Sequence, residues 1–264
     1  MKIGIDCHNL EGTRTGVGRY LANLLREWKS ETAVEFFLYF KNEIPEDVRE
    51  LSQQAGWTMR NLNGRSNAFF KHWLLPRAAM RDKVDVLFCP DYVLPLSTIY
   101  SRNITRNISR IKTAVTIHDI IYEARPNEYS WPSWKDKILL KWASKRSAKK
   151  ADIIFSPSKF TKSEIIKYYK VDPKKIVVTP LAPDPIFHLI SPPPQPSPFV
   201  RGREREGVVK SYILFVGSIF NRRFLPQKIQ GFTEFAECYP DFQFLIIGKN
   251  HTRPFLDIER LVLD

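Results

Sequence analysis

The chain has 264 residues, 43% of them hydrophobic and 13% aromatic, enough apolar mass for a core and too much for global disorder. It carries 41 Lys+Arg against 28 Asp+Glu, a formal net charge of +13, which favours an anionic partner: nucleic acid, an acidic membrane surface or a phosphorylated ligand. Cys7, Cys89 and Cys238 are odd in number and far apart, which suits a reducing compartment and argues against a disulfide framework or a zinc site. Met1 leads directly into a strand pattern without a secretory leader, and no apolar run approaches the ~20 residues that span a bilayer. A cytoplasmic location is therefore expected, where the sequons at Asn103 and Asn107 would go unmodified.

Lys2–Asp6 reads as a strand, followed by HNLEGTRTGVGRYLANLLREW. Gly16 and Gly18 precede a helical periodicity of Tyr20, Leu21, Leu24, Leu25 and Trp28. Strand, Gly-rich loop and helix can turn backbone N–H groups and a helix N-terminus toward an anion. The third glycine of a dinucleotide fingerprint is absent, and a tight turn needing positive φ explains the same glycines. Val34–Phe40 is the next strand, Pro45 opens a helix to Gln54, and Trp57–Leu62 reads as a third strand. Residues 69–81 hold Phe69, Phe70, Trp73, Leu74 and Leu75 in a helix-like stripe that reads as core. Val84–Cys89 is a buried strand ending in Pro90-Asp91-Tyr92, and Ser101–Lys112 is a basic loop.

Thr113–Asp119, TAVTIHD, runs from small and β-branched residues into His118 and Asp119. The apolar part predicts a strand buried on both faces. Such a strand presents polar side chains at its carboxyl end, where ligands bind in open parallel sheets. Two readings stand: His118 and Asp119 serve a ligand, or they cap a loop and bond each other.

Ser133–Lys150 predicts a polarised helix, with Trp134, Ile138, Leu139 and Trp142 on one face and Lys137, Lys141, Lys145 and Lys149 in a row. An ordinary helix with its apolar face in the core and a solvated basic face is the simpler expectation; tryptophans beside lysines also suit a membrane interface. Asp152–Pro157 is a strand, Ser158 caps a helix over Lys159–Lys170, and Lys175–Thr179 is a further strand. Strands alternating with helices from residue 2 to 179 predict an α/β, doubly wound parallel sheet. Five prolines within residues 192–198 and a charged stretch to Lys210 predict a linker. Tyr212–Gly217, a helix around Ile229–Ala236, Phe242–Ile247 and a helix within Pro254–Leu263 begin a second βαβ pattern. Two strands cannot cover a sheet, so an incomplete second domain is expected. The expected division is 1–188, a linker at 189–210, and 211–264.

Four segments together resemble the family 4 glycosyltransferases, especially mannosyltransferase-like members of surface polysaccharide assembly. They are Gly12–Leu25 (GTRTGVGRYLANLL), Val115–Ser130 (VTIHDIIYEARPNEYS), Ile153–Asp184 (IIFSPSKFTKSEIIKYYKVDPKKIVVTPLAPD) and Tyr212–Phe235 (YILFVGSIFNRRFLPQKIQGFTEF). The resemblance implies a GT-B fold of two Rossmann-like domains, acceptor mainly on the first and donor mainly on the second. It implies a hexose, of which mannose is one, moved with retention from a GDP- or UDP-linked sugar to a glycan or lipid-linked acceptor. By position, Gly16, Gly18 and the adjoining helix would approach the donor phosphates, and His118, with Asp119 beside it, would serve the transferring sugar. Arg222 and Arg223 would neutralise the leaving diphosphate, as fixed cations near developing charge do. No metal or further cofactor is implied, since Asp-x-Asp is absent and two arginines can supply the charge.

The chain differs from the family in reading Arg222-Arg223-Phe224 where Arg-Lys-Asn is usual. The family's glutamate pair would lie beyond residue 264, so a truncated second domain is expected, completed by a separate chain or inactive alone. The alternative is a non-catalytic remnant that binds an acceptor, a membrane or a partner chain. Peripheral attachment to the inner face of the membrane is compatible with either. Lysines spread over helices and loops without interleaved aromatics count against nucleic acid.

Overall fold

The computed structural model describes residues 1–53, 55–96, 111–126, 129, 131, 133–183 and 211–263. The expected linker at 189–210, the two sequons and most of the basic loop before residue 112 lie outside the described residues. The chain divides into two compact units, Met1–Ala124 with Ser133–Pro185, and Arg125–Pro132 with Ile186–Asp264.

In the first unit, β1 (Lys2–Asp6), β2 (Glu35–Phe40), β3 (Trp57–Asn61), β4 (Val86–Cys89), β5 (Lys112–Thr116), β6 (Ile153–Ser156) and β7 (Ile176–Val178) form one sheet in the order β3-β2-β1-β4-β5-β6-β7. Every pair is parallel, with Ile3 opposite both Phe36 and Val86 and Phe88 opposite Ala114. The helices are α1 (Gly16–Glu27), α2 (Glu46–Arg49), α3 (Asn67–Phe69), α4 (Leu75–Arg81), α5 (Ile121–Ala124), α6 (Trp134–Lys150) and α7 (Lys159–Tyr169). Successive strand residues point to opposite faces, so Leu87 and Cys89 join one buried cluster with Leu75, Val115 and Ile165, while Phe88 joins another with Leu21, Leu25 and Leu38. This is the doubly wound α/β sheet that the alternating pattern predicts.

Local sequence explains most boundaries. Ser158 Oγ accepts from Thr161 N at 3.0 Å at the start of α7, and Lys170 closes that helix with a left-handed φ of 55°. The helix expected from Pro45 to Gln54 is instead α2 followed by a 3₁₀ turn, Glu50–Gln53. The stripe at 69–81 is interrupted by a π turn over Phe70–Leu74. One extra residue per turn rotates the side chains that follow, and the stripe divides: Phe70 and Leu75 are buried, Phe69 and Trp73 exposed.

α6 departs furthest from expectation. It packs through Ala143, Ser144, Ser147 and Ala148, all buried, whereas Trp134, Ile138, Leu139 and Trp142 face outward. Small side chains admit close approach, and the serines carry bonds that larger apolar residues could not. Ser147 Oγ accepts from Leu94 N at 2.9 Å and donates to Ala143 O at 2.7 Å. Ser144 Oγ bonds the Tyr122 hydroxyl at 2.7 Å and the Tyr169 hydroxyl at 2.6 Å, which are 3.2 Å from each other. This hydroxyl triangle ties α5, α6 and α7 together.

The second unit contains β8 (Tyr212–Val216) and β9 (Gln243–Ile247), paired in parallel, with α8 (Leu225–Cys238) and α9 (Ile258–Leu263). Among the described residues of the whole chain, no helix is long and apolar enough to cross a membrane.

A buried donor or acceptor that loses its partner costs its full desolvation. Ser144→Ala removes one partner from each of two buried tyrosine hydroxyls, leaving them only their bond to each other, and is expected to lower the unfolding free energy by about 1–3 kcal/mol, read from urea denaturation. Ser163→Ala, a change at an exposed hydroxyl bonded only within its own turn, should change it far less.

Candidate functional site

The chain winds outward from β1 through β2 and β3 on one side and from β4 to β7 on the other. The reversal falls between neighbours β1 and β4, and the crevice outside the carboxyl ends of the strands at such a reversal is the preferred ligand position in open α/β sheets. Each strand there delivers a polar group. β1 ends on Asp6, a 3₁₀ turn over His8–Leu10 follows, Asp91 comes two residues after β4, and His118 two residues after β5.

Lys71 reaches into this place from the π turn. Its Nζ bonds a carboxylate oxygen of Asp6 and lies 2.6 Å from Asp91 Oδ1. His8 donates Nδ1–H to Asp6 Oδ1 at 2.7 Å, and its Nε2 is 3.8 Å from Asp91 Oδ2. Asp6 and Lys71 are buried. Burial alone would push the Asp6 carboxyl up, but Lys71 and His8 outweigh it and hold the pKa well below the usual carboxylate range. Burial likewise works against charge on Lys71 and His8, and the carboxylates override it, raising both. The result is two carboxylates bridged by the Lys71 ammonium, with the His8 imidazole bonded to one of them and favoured toward its charged form.

The carboxylate and imidazole atoms of Asp6, His8 and Asp91 lie within 4.8 Å of one another, a spacing a divalent cation could use. The donor set does not fit one as it stands. The Lys71 ammonium already bonds both carboxylates, and His8 Nδ1 is engaged by Asp6.

His118 donates Nε2–H to the Pro90 carbonyl at 2.9 Å. Burial lowers its pKa against the opposing pull of that carbonyl and of Asp119 and Asp91. The ring is therefore neutral at pH 7 with its proton on Nε2, and Nδ1 is an acceptor. Tyr20 meets it edge-on at 5.0 Å and Tyr92 at 6.0 Å. Asp119 turns elsewhere: its Oδ1 accepts from Ile121 N at 3.2 Å at the start of α5, and its Oδ2 accepts from the Tyr92 hydroxyl at 3.4 Å. His118 and Asp119 thus take separate partners, Pro90 for one and the α5 turn for the other.

Gly16 and Gly18 lie inside the first turn of α1, not in a loop before it. Neither is among the glycines with positive φ. A Cβ at Gly18 would stand 2.3 Å from the Asn9 carbonyl, so close approach to the His8–Leu10 turn is what requires glycine there. A Cβ at Gly16 would meet nothing within 4 Å. The N-cap residue, Thr15, makes no side-chain capping bond, so the first N–H groups of α1 have no side-chain cap from it. Through Tyr20, whose hydroxyl is 3.4 Å from Thr116 Oγ1, the start of α1 is tied to the strand end that carries His118.

In the second unit, Arg222 and Arg223 occupy a 3₁₀ turn just before α8. The Arg222 guanidinium lies over the Phe220 ring at 4.1 Å and the Tyr129 ring at 5.1 Å. Arg223 packs over Gly217, where φ is 136° and a Cβ would come 2.3 Å from Nη1. Two cations are thus set beside the N-terminus of a helix, an arrangement that suits an anion.

The Asp6–His8–Lys71–Asp91 set was not singled out from sequence. Two strands each closing on an aspartate were a usable signal, but Lys71 sits inside an apolar stripe, and only the π turn directs it inward. Its consequence for stability has a defined sign. His8 is raised above its ordinary 6.5, so its contribution is complete below pH 6.5 and lost as pH rises through the higher folded value. Asp6 is depressed below 3.8, so its contribution is present above pH 3.8 and lost as pH falls through the lower folded value. Denaturant midpoints measured against pH should therefore decline on the alkaline side of 6.5, and His8→Gln should flatten that decline. Lys71→Met, which strands a buried carboxylate, should cost about 3–5 kcal/mol.

Solved structures with the same fold include two chains similar to this one. The apo lipopolysaccharide outer core galactosyltransferase WaaB aligns with a TM-score of 0.56 at 14% identity, over 99% of this chain and 63% of that one. Anabaena Alr3699/HepE, solved with UDP and glucose, aligns at 0.53 and 14% identity, over 100% of this chain and 64% of that one. This chain thus spans less than two thirds of either, and the likeness identifies a Rossmann-like α/β fold of the GT-B type. No curated protein matches by sequence. Residues 14–185, from the residue before the α1 cap to the end of the seven-stranded unit, match the family model described as Glycosyltransferase Family 4. With that match covering more than half of its length, the chain belongs to glycosyltransferase family 4.

Proposed function

We propose that this chain serves the transfer of a hexose, mannose among the candidates, from a UDP- or GDP-linked donor to a glycan or lipid-linked acceptor in surface polysaccharide assembly. The observation that carries the reading is the meeting of His118 with the uncapped start of α1, through Tyr20, at the winding reversal of a family 4 sheet. The HepE structure was solved with UDP and glucose, which supports a nucleotide-sugar as the donor class. Family membership favours transfer over a non-catalytic remnant.

In this reading the first N–H groups of α1, beside Gly16 and Gly18, face the donor phosphates. His118 accepts a hydroxyl proton of the transferring sugar at Nδ1, its other nitrogen being committed to Pro90. Asp119 acts through position, fixing the turn after His118 by its bond to Ile121 N. Arg222 and Arg223 meet the charge that builds on the diphosphate as the C1–oxygen bond to phosphate breaks and the bond to the acceptor oxygen forms with retention at C1, the acceptor hydroxyl proton passing to the departing diphosphate oxygen. Fixed cations that match charge only as it develops lower the barrier. With two arginines in that role, the reaction requires no metal.

Transfer from UDP- and GDP-hexoses to glycan and lipid-linked acceptors, followed by mass spectrometry, tests the assignment. His118→Ala should lower kcat on the order of a hundredfold with donor KM little changed, and should cost about 1–3 kcal/mol of stability through the unpaired Pro90 carbonyl. Arg222→Ala combined with Arg223→Ala should raise donor KM and lower kcat together. Wild-type turnover in the His118 variant, or unchanged donor KM in the arginine pair, would remove the corresponding role.

A further inference from the structure

The outward face of α6 has no role in the reading above, and its composition is unusual for a solvated surface. Trp134 is 68% exposed, Ile138 60%, Leu139 63% and Trp142 44%. At 100° per residue, Trp134, Ile138 and Trp142 form one line along the helix, with Leu139 beside it. The two tryptophans stand about 12 Å apart at 1.5 Å per residue. Lys135, Lys145 and Lys149, all exposed, lie on the same face. Lys135 Nζ stands 5.8 Å from the Trp134 ring centre and the Arg146 guanidinium 5.3 Å from that of Trp142. The helix sequence holds one acidic residue, Asp136, against seven lysines and arginines.

Such a face could meet a protein or a lipid surface, and the interleaving separates them. The core of a protein interface is depleted of lysine, because each ammonium buried there must find a partner. A bilayer interface accepts lysine and tryptophan on one face, since rings and methylene stems enter the acyl boundary while ammonium groups stay among anionic headgroups. The buried side of α6 is complete, with Ala143, Ser144, Ser147 and Ala148 packed and the serines bonded, so the apolar stripe is surplus to folding. We propose that the Trp134–Trp142 face of α6 docks this chain on an anionic lipid bilayer, lying in the interface plane without spanning it. This does not depend on the chain transferring sugar.

The test is co-sedimentation of the full chain with vesicles of equimolar phosphatidylcholine and phosphatidylglycerol, and with phosphatidylcholine alone. Binding to the anionic vesicles, weakened by salt and nearly absent on phosphatidylcholine, is expected. Lys135→Gln, Lys145→Gln and Lys149→Gln together should weaken partitioning on the order of a hundredfold, at roughly tenfold or less per lysine near an anionic surface. Trp134→Ser, Ile138→Ser and Trp142→Ser together should abolish it with the melting temperature unchanged, because the replaced side chains are exposed. The proposal is overturned if anionic vesicles do not bind the wild type, or if either triple variant binds like it. It is equally overturned if sedimentation shows self-association that the serine variant removes while vesicle binding persists.

Discussion

The Lys71 ammonium between Asp6 and Asp91 is the interaction on which the carboxyl edge of the first unit depends. Two carboxylates brought together by neighbouring strands, one of them fully buried, would repel each other and resist ionisation. A cation placed between them reverses that balance, and His8 adds a second bond to Asp6. Removing Lys71 leaves the buried Asp6 carboxylate without its main counter-charge, which costs more than the intact pair contributes. The set also fixes geometry, since it ties the ends of β1 and β4, on either side of the winding reversal, to the helical segment that follows β3.

Around that anchor the candidate site is assembled by close approach more than by strained backbone. Gly18 lets α1 press against the Asn9 carbonyl, which places the first turn of the helix beside the turn that carries His8. Tyr20 then reaches the strand end that carries His118. His118 is oriented by the Pro90 carbonyl, the residue just before Asp91, so its tautomer is set by the same loop that holds the charged set. In the second unit Gly217 plays the equivalent part for Arg223, and there positive φ and close approach coincide. In both units glycine serves to bring a charged or polar group to a helix start.

α6 shows how a helix can be amphipathic twice over. Its buried side is built from alanine and serine because it lies close to neighbouring elements and its serines satisfy Leu94 N and two tyrosine hydroxyls. Its large apolar residues are left outside, among lysines. The hydrophobic pattern alone assigns the opposite faces, because it ranks Trp and Ile above Ala and Ser for burial. Which side packs is decided by the space available and by polar groups needing partners.

The sequence by itself determined the strands, the parallel sheet and most helix boundaries, because short β-branched runs and 3.6-residue periodicity are local signals that tertiary contacts here reinforce. It also determined the family, through motifs at α1, after β5, around α7 and at the start of the second unit, and with it the interest of Gly16, Gly18, His118, Asp119, Arg222 and Arg223. Only the tertiary structure decided that His118 and Asp119 take different partners, that Gly18 answers a carbonyl and not a turn, and that α6 faces outward with its tryptophans. The Asp6–His8–Lys71–Asp91 set belongs to the same class. Its members are separated by up to 85 positions in the chain, and a charge network across such distances leaves no periodicity to read. It exists only once two strands have paired and a π turn has rotated one lysine inward.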